Sequence, residues 1–266
     1  MKHICFFITH KTLTAEHCIL TFKSLAIQNN KKMFDKLYIY NSHKDELPNE
    51  DIMTYIDEFM LTSLFKNIQV FDYDETSSKT LGQDISNIST YCQQVYSDED
   101  RVLLLKSDCL LSKRYFDNIF NLPQDKPVFF TAPFICAKKR VSNEEILSYI
   151  SRENFVKTDE ITFFVEDRSH SNDNDFNDVN KVSIYDESIK FTSCYVIIDW
   201  SCHLITVGIL HKLGITNQSW GGVNLRNLDP YFIETDDCFV VHKYHNIQSE
   251  NRNASREGPV EGWLLS

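Results

Sequence analysis

A polar trio follows a short apolar run in the middle of the chain. The run Val102–Leu105 contains only valine and leucine, and it ends at Lys106, Ser107 and Asp108. Such an unbroken run predicts a strand that is buried on both faces. Ligands of open α/β sheets bind beyond the carboxyl ends of the strands, so we expect Asp108 to face a bound molecule. The alternative is that Asp108 only opens a following helix, although Ser112 could cap that helix equally well.

Three earlier strands are predicted to end in polar residues in the same way. The first 72 residues alternate strands and helical stretches in the order β-α-β-α-β, with strands predicted at Ile4–Ile8, Leu37–Tyr40 and Ile68–Phe71. This order predicts parallel strands with right-handed crossovers, in an α/β fold whose mostly parallel central sheet is flanked by helices. We therefore expect Thr9, Asn41, Asp72 and Asp108 at one edge of that sheet.

The remaining elements are predicted from periodicity and end signals. Gly82 is one of only seven glycines and opens a predicted helix, either because a ligand approaches its backbone or as a plain turn. A helix starting at Lys113 would follow the cap at Ser112, and a capping box marks another helix at Ser142. The later predictions are strands at Val128–Ala132 and Lys190–Asp199, a helix at Trp200–Leu213 and a strand at Cys238–His245.

Length and composition indicate an ordinary globular protein. The chain has 266 residues, 42% hydrophobic and 24% charged, enough for one large core. We expect one domain over residues 1–248, built from two halves (1–130 and 131–248), followed by a tail (249–266). Residues 166–181 are acidic and have little to bury, which predicts a mobile loop. A calcium loop is the alternative, but glycine and the spaced terminal glutamate are missing.

Charge and cysteine usage restrict the class of partner and the compartment. The net charge of −11 argues against broad binding of polyanions, although a local basic groove stays possible. The eight cysteines form no CxxC pair and several lie in apolar runs, so we expect buried thiols in a reducing compartment rather than a zinc site. The first apolar run is too short for a signal peptide, and no segment approaches membrane-spanning length, which favours a cytoplasmic protein.

The order of these pieces resembles the GT-A fold nucleotide-sugar glycosyltransferases, most nearly those of family 2. Residues 8–11 with the segment Ser24-Leu-Ala-Ile-Gln28 are similar to the opening strand, turn and "SLxxQ" helix. The other similar segments are Leu37–Ser42 (second strand and donor-binding turn), Gly82–Asn87 ("GxxxxRN"), Val102–Phe116 (strand, acidic motif and "LxPxYL") and Phe239–His242 (late strand with a metal-binding histidine). Small stand-alone members of this kind resemble those of viruses and phages.

This resemblance implies a uridine diphosphate sugar as donor and transfer of its sugar to a hydroxyl with inversion. It would make residues 1–130 the nucleotide-sugar half and residues 131–248 the acceptor half. The segments that match would place two sets of residues around the donor. Around the nucleoside these are Thr9, His10, Asn41, Asp72 and Gly82, and at the diphosphate they are Lys106 and Asp108.

The acidic motif departs from the family pattern. Family members carry Asp-x-Asp, which holds a divalent metal against the diphosphate, whereas this chain has Lys106-Ser107-Asp108. Lys106 could neutralise diphosphate charge itself and so weaken the need for manganese or magnesium. Alternatively, Asp108 and His242 could hold a weaker metal site. His242 could also be a buried structural residue.

A second departure concerns the general base. The segment that aligns with the family's Glu-Asp base region has Gly221-Gly222 instead, so the acid must come from elsewhere. We expect Asp236 or Asp237, because neighbouring carboxylates raise one pKa toward the range of a general base, although the pair could be a solvated turn. Trp220 and Tyr231 are predicted to stack on an acceptor, and a core role is the alternative for Trp220.

The acceptor is the part that the sequence constrains least. A soluble saccharide is favoured, since nothing predicts a membrane anchor. A hydroxymethylated DNA base is the alternative acceptor, and it would have to be flipped out of the duplex. DNA would also need a basic groove. The candidate residues for that groove are Lys138-Lys139-Arg140, Arg252 and Arg256. The first carboxylate of the metal-binding motif and the acid of the family's base region are both missing. A catalytically inactive nucleotide-sugar-binding or scaffold protein is therefore the competing class. The oligomeric state is not predicted.

Overall fold

The structure is a computed structural model that describes residues 1–9, 15–28, 32–41, 45–72, 81–132, 134–137, 142–152, 191–194, 202–213, 231–235 and 237–243. The predicted mobile loop at 166–181 and the tail at 249–266 lie outside these residues. So do His10, Trp220, Asp236 and the basic residues at 138–140, 252 and 256.

The described residues form eleven strands and six α-helices that alternate through the first half of the chain. The strands are β1 (His3–Ile8), β2 (Lys36–Asn41), β3 (Ile68–Asp72), β4 (Arg101–Lys106), β5 (Cys109–Leu111), β6 (Phe129–Thr131), β7 (Phe134–Ala137), β8 (Phe191–Cys194), β9 (Cys202–Thr206), β10 (Phe232–Glu234) and β11 (Val240–Lys243). The helices are α1 (Ala15–Ala26), α2 (Asn49–Glu58), α3 (Leu81–Val95), α4 (Tyr115–Phe120), α5 (Asn143–Ile150) and α6 (Val207–Lys212), and a 3-10 turn covers Leu61–Ser63.

Seven of these strands form the central sheet, in the order β10-β6-β9-β4-β1-β2-β3. The pairs β1–β2, β1–β4, β2–β3 and β6–β10 are parallel, whereas β9 runs antiparallel to both β4 and β6. The predicted α/β fold with a mostly parallel central sheet is therefore confirmed. Its four predicted parallel strands occupy adjacent places, so their carboxyl ends meet at one edge.

The middle of the sheet is buried on both faces because Ile4–Ile8 of β1 and Val102–Leu105 of β4 are unbroken apolar runs. Every residue of β1 and of β4 is buried, as predicted for the run Val102–Leu105. One face packs Cys5, Phe7 and Leu103 against α1, α2 and α4. The other face packs Phe6 and Leu104 against α3 and α6. The packing on the two faces fixes the positions of the strands, and so of the residues at their carboxyl ends.

A second sheet extends from the end of β4. Its order is β5-β11-β7-β8, with β11 antiparallel to β5 and parallel to β7. Only Ser107 and Asp108 separate β4 from β5, so the polar trio is the turn that joins the two sheets. Helix α5, whose predicted capping box between Ser142 and Glu145 is confirmed, packs with α1 over this sheet.

One helix segment and one helix cap were predicted wrongly, in both cases because of contacts with residues far away in the chain. The segment Cys202–Thr206 was predicted as helix but forms strand β9. Its backbone is hydrogen-bonded to β4 on one side and to β6 on the other. Helix α6 begins only at Val207. Ser112 does not cap a helix. Its hydroxyl accepts the N–H of Phe239 at 2.9 Å, and α4 starts at Tyr115. The alternative that Asp108 opens a helix is also wrong, since strand β5 follows it.

The short strands β5, β7 and β10 were missed, since three or four apolar residues carry little periodic signal. Among the described residues, no helix has the length and hydropathy that a membrane span would need. The six cysteines that the structure describes fully are buried free thiols, as the sequence predicts; they are Cys5, Cys18, Cys92, Cys109, Cys202 and Cys238.

Candidate functional site

The carboxyl ends of four parallel strands form a continuous edge. Asn41 is paired with Asp72 across β2 and β3, and Ile8 is paired with Lys106 across β1 and β4. The backbone N–H of Thr9 donates to Tyr40 at 3.1 Å, which continues the edge between β1 and β2. Three strand spacings of about 4.8 Å separate Asp72 from Lys106, so the edge is about 14 Å long. The structure thus brings the predicted strand-end residues together.

One end of this edge carries a buried ion pair. The Lys106 Nζ atom lies 2.9 Å from the Asp108 Oδ2 atom, and the two side chains are 9% and 0% exposed. The Asp108 side chain is therefore fully buried, whereas the Lys106 side chain keeps a small exposed fraction. Lys106 is the member of the pair that can meet a ligand directly, and Asp108 acts by holding it.

Helix α1 holds the turn that carries this pair. The Thr21 hydroxyl donates to the carbonyl of Ser107 at 2.8 Å and lies 3.3 Å from that of Cys109. One turn later, the Ser24 hydroxyl accepts the N–H of Leu111 at 3.2 Å. Thr21 and Ser24 are fully buried, so water does not compete for these contacts. The position of Lys106 and Asp108 is thus fixed from the helix side.

Gln28 completes this row of polar side chains. Its Nε2 atom donates to the carbonyl of Ser112 at 3.0 Å, and its Oε1 atom accepts the N–H of Phe116 at 3.0 Å. Ser24 and Gln28 are the polar positions of the "SLxxQ" segment, and their contacts follow the chain from β5 into α4. Sequence reasoning placed that segment by resemblance but missed Thr21, whose spacing of three residues before Ser24 is the signal that could have shown it.

Cys18 lies beneath the turn, one helical step before Thr21. Burial raises the pKa of its thiol to about 12, and the nearby Asp108 carboxylate acts in the same direction. The thiol therefore stays neutral at physiological pH and is not a nucleophile or a metal ligand there. The Cys18 side chain packs next to the turn that carries the ion pair.

Thr9 and Asn41 lie at the carboxyl ends of β1 and β2. The Thr9 hydroxyl donates to the Tyr40 carbonyl at 2.9 Å. The Asn41 amide nitrogen donates to the Leu47 carbonyl at 2.8 Å and to Asn49 Oδ1 at 2.9 Å. These bonds fix the chain on both sides of the edge. The predicted contacts of Thr9 and Asn41 with a nucleoside stay predictions.

Gly82 lies at the second position of α3, close to where the prediction placed the helix start. Asp84, in the first turn of the same helix, is 5% exposed and was not singled out from the sequence. Its charge is among the causes that raise the pKa of Tyr40, after burial of the Tyr40 hydroxyl. Since Tyr40 belongs to β2, the start of α3 faces the edge at the end of that strand.

His242 is aligned with this site by backbone register. It pairs with Cys109 across the antiparallel β5 and β11 strands, one residue from Asp108. The predicted proximity of the two residues therefore holds at the level of the backbone. Whether the imidazole binds a metal or is structural stays a prediction.

The residues at the turn do not fit the metal site of the resembled family. The first of its two carboxylates is replaced by Lys106, and the remaining carboxylate is bound to the Lys106 ammonium. An ammonium group is a donor without a lone pair, so it repels a divalent cation instead of binding it. Within the described ranges, no group of three histidine, cysteine or acidic side chains could hold a metal ion.

Asp237, one of the two predicted bases, is an exposed residue between β10 and β11. Its N–H donates to the hydroxyl of Thr235 at 3.1 Å, just after β10. Two residues later, the N–H of Phe239 donates to the hydroxyl of Ser112, next to the end of β5. The role of Asp237 as general base stays a prediction.

Tyr231 lies at the opposite edge of the sheet. It precedes β10, which runs parallel to β6, so it is at the amino ends of these strands. There it lines a surface cavity together with Asp98, Lys126 and Lys212, and the Lys212 ammonium is 6.0 Å from its ring centroid. The structure therefore does not bring Tyr231 together with Lys106 and Asp108, and its stacking on an acceptor stays a prediction.

Comparisons with known proteins give a fold and no sequence family. No family model and no curated protein matches the chain. Among solved structures, the chain is similar to the crystal structure of GalNAc-T7 with UDP, GalNAc and Mn2+, with a TM-score of 0.52 and 12% identity over 92% of this chain and 44% of that chain. It also matches S. aureus TarS 1-349 in complex with UDP-GlcNAc, with a TM-score of 0.48 and 11% identity over 98% of this chain and 64% of that chain.

This chain spans less than half the length of the GalNAc-T7 chain and less than two thirds of the TarS chain. At such identities the likeness carries the fold alone. The chain therefore has the GT-A fold that its sequence motifs resemble.

Proposed function

We propose that this protein transfers a sugar from a nucleotide sugar to a hydroxyl group of an acceptor. The observation that carries the proposal is the convergence of four strand ends on one edge, with the Lys106–Asp108 pair at one end of it. Crevices at the carboxyl ends of parallel strands are where open α/β sheets bind nucleotides. A lysine at the end of such a crevice suits the diphosphate of a nucleotide sugar.

The donor we propose is a uridine diphosphate sugar. Its nucleoside would lie at Thr9, His10, Asn41, Asp72 and Gly82, and its diphosphate at Lys106. The support for this orientation is the strand order, which places Asp72 about 14 Å from Lys106 at the other end of the edge. Uridine itself rests on the sequence resemblance, and a panel of nucleotides distinguishes it from other bases.

The reaction we propose is a single displacement with inversion. The bond between the anomeric carbon and the β-phosphate oxygen breaks, and its electron pair leaves with the diphosphate. The acceptor oxygen bonds to the anomeric carbon from the opposite side and loses its proton to a base. Negative charge thus grows on the leaving phosphate, where a nearby cation stabilises the transition state more than the ground state.

The acceptor we propose is a soluble saccharide. A hydroxymethylated DNA base is the alternative, with Trp220 as the predicted stacking residue. Incubation with donor and either an oligosaccharide panel or hydroxymethylcytosine-containing DNA, followed by mass spectrometry, separates the two. We expect the mass of one sugar on a saccharide. A gain on the DNA alone would give the acceptor role to DNA.

A competing function has one observation in its favour. Lys106 stands where the resembled family has a metal-binding carboxylate, which is also what an inactive nucleotide-sugar-binding protein would show. Donor hydrolysis and transfer assays with a panel of uridine diphosphate sugars decide between them. We expect turnover by the wild-type chain and by the surface control Asp57→Ala, and none by Asp108→Asn. Tight donor binding without any turnover across the panel would favour the inactive binding protein.

A further inference from the structure

We propose that Lys106 takes the place of the divalent cation, so that the chain binds its donor diphosphate without a metal. The inference rests on the proposed function and concerns the same site. It follows from the misfit between the metal-binding pattern of the resembled family and the groups at the turn between β4 and β5.

The formal charges of the two arrangements are equal. Two carboxylates with a divalent cation sum to zero, and so does one carboxylate with one ammonium group. Lys106 and Asp108 form that second arrangement with their charged atoms 2.9 Å apart. The exchange of one acid for lysine therefore keeps the net charge of the site while removing both a ligand and the need for the ion.

Burial of the Lys106–Asp108 pair decides which side chain a ligand can reach and how strongly solvent screens the charges. The Asp108 side chain has no exposed surface, so it cannot contact a diphosphate directly, whereas Lys106 is 9% exposed at the edge. An ammonium group carries a full positive charge and donates hydrogen bonds, and both properties suit a phosphate oxygen. Because Lys106 is little exposed, solvent screens its charge less than it screens the charge of a surface lysine. A phosphate oxygen that reaches Lys106 meets a fixed cation.

The backbone around the pair is fixed before any ligand arrives. Thr21 holds the Ser107 carbonyl, and the backbone N–H of Ser107 donates to Ile8 at 3.0 Å. A lysine side chain is flexible in itself, with a cost in entropy when it is ordered. Here Asp108 orders it in advance, which is what a metal ion held by two carboxylates would otherwise provide.

During transfer the lysine keeps its proton and donates hydrogen bonds. The electron pair of the broken carbon–oxygen bond stays on the β-phosphate, and the acceptor proton goes to a base elsewhere. Lys106 stabilises the added negative charge on the leaving diphosphate. No oxidant, reductant or additional ion is needed for the step to balance.

Calorimetric titration of the full chain with UDP and with uridine, in EDTA or in MnCl2, tests the inference. We expect the wild-type affinity for UDP to change by less than about twofold between EDTA and manganese, and Lys106→Met to weaken UDP by about tenfold or more while leaving uridine unchanged. Lys106→Arg should keep part of the UDP affinity, and Lys126→Met, an exposed lysine at the opposite edge, should behave as wild type.

Lys106→Asp restores the two-carboxylate pattern and completes the test. Its UDP affinity should become dependent on manganese, whereas that of Lys106→Met should not. If the wild-type chain binds UDP only in manganese, the inference is overturned while the proposed function stands, and a metal held by Asp108 and His242 is favoured. If it binds neither UDP nor uridine in either buffer, the proposed function fails and the inference with it.

Discussion

The Thr21 hydroxyl donates to the Ser107 carbonyl at 2.8 Å, so helix α1 is bonded directly to the turn that carries Lys106 and Asp108. Thr21 lies in a helix and Ser107 between two sheets, 86 residues later in the chain. The bond is buried, and both residues are fully inaccessible to solvent. It makes the geometry of the ion pair depend on a residue that touches no ligand.

Replacing Thr21 by valine keeps the shape of the side chain and removes its hydroxyl. The carbonyl of Ser107 then loses its side-chain donor in a buried place, which we expect to cost about 1–3 kcal/mol of unfolding free energy. UDP affinity should fall as well, because the turn is no longer fixed. Thr21→Ser should restore both. Urea denaturation and calorimetry give the two quantities, and a loss of stability with wild-type UDP affinity would show a purely structural role.

Variants of the Lys106–Asp108 pair distinguish an effect on stability from an effect on sugar transfer. Asp108→Leu leaves a buried ammonium group without its carboxylate, and we expect a loss of about 3–5 kcal/mol in unfolding free energy. The double variant Lys106→Met with Asp108→Leu should regain most of that stability, because no isolated charge is left. Neither variant should transfer sugar. Denaturant titrations provide the stabilities, and transfer activity in the double variant would remove the pair from the mechanism.

His3 makes the stability depend on pH below neutrality. Burial, with a smaller effect of the nearby Arg101, lowers the pKa of His3 from 6.5 to about 4. The unfolded chain therefore binds a proton at a higher pH than the folded chain, so stability is full above pH 6.5 and falls as the pH drops toward 4. The difference in pKa corresponds to a loss on the order of 3 kcal/mol.

The variant His3→Leu removes this titration, and its unfolding free energy should fall less between about pH 7 and pH 4 than that of the wild type. The matched control is His211→Leu, at an exposed histidine. Equal slopes for wild type and His3→Leu would exclude His3 as the source.

Asp237 offers a test of the base assignment. We expect Asp237→Asn to lower the transfer rate by a factor of about 10² to 10⁴, the typical cost of losing a general base, with donor affinity unchanged. Initial rates at saturating donor measure this. A transfer rate close to that of the wild type would take the role from Asp237.

The parallel part of the fold could be predicted because each strand has a local signature. The runs ending at Ile8, Tyr40, Phe71 and Leu105 are short and apolar, and helices with clear caps or periodicity separate them. Their polar ends then had to meet at one edge, since parallel strands that are adjacent in the sheet end on the same side. The sequence resemblance and the sheet order agree on this half of the molecule.

The rest depended on contacts between residues far apart in the chain. Cys202–Thr206 is a strand only because β4 and β6 lie on either side of it, and Ser112 accepts a hydrogen bond from Phe239 because β11 returns to β5. A propensity or a cap signal carries no information about such partners. The bond between Lys106 and Asp108 was missed for a related reason: the two residues were assigned separate ligand roles, while their geometry makes each the partner of the other.

The central claim is that the carboxyl edge binds a nucleotide sugar with its diphosphate at Lys106. A crystal structure of the chain with a uridine diphosphate sugar tests it most directly. We expect a phosphate oxygen about 2.7–2.9 Å from the Lys106 Nζ atom, as in charge-assisted hydrogen bonds, and the uridine beside Asn41 and Asp72. A nucleotide bound instead in the cavity beside Tyr231 and Lys212, with the carboxyl edge empty, would contradict the account.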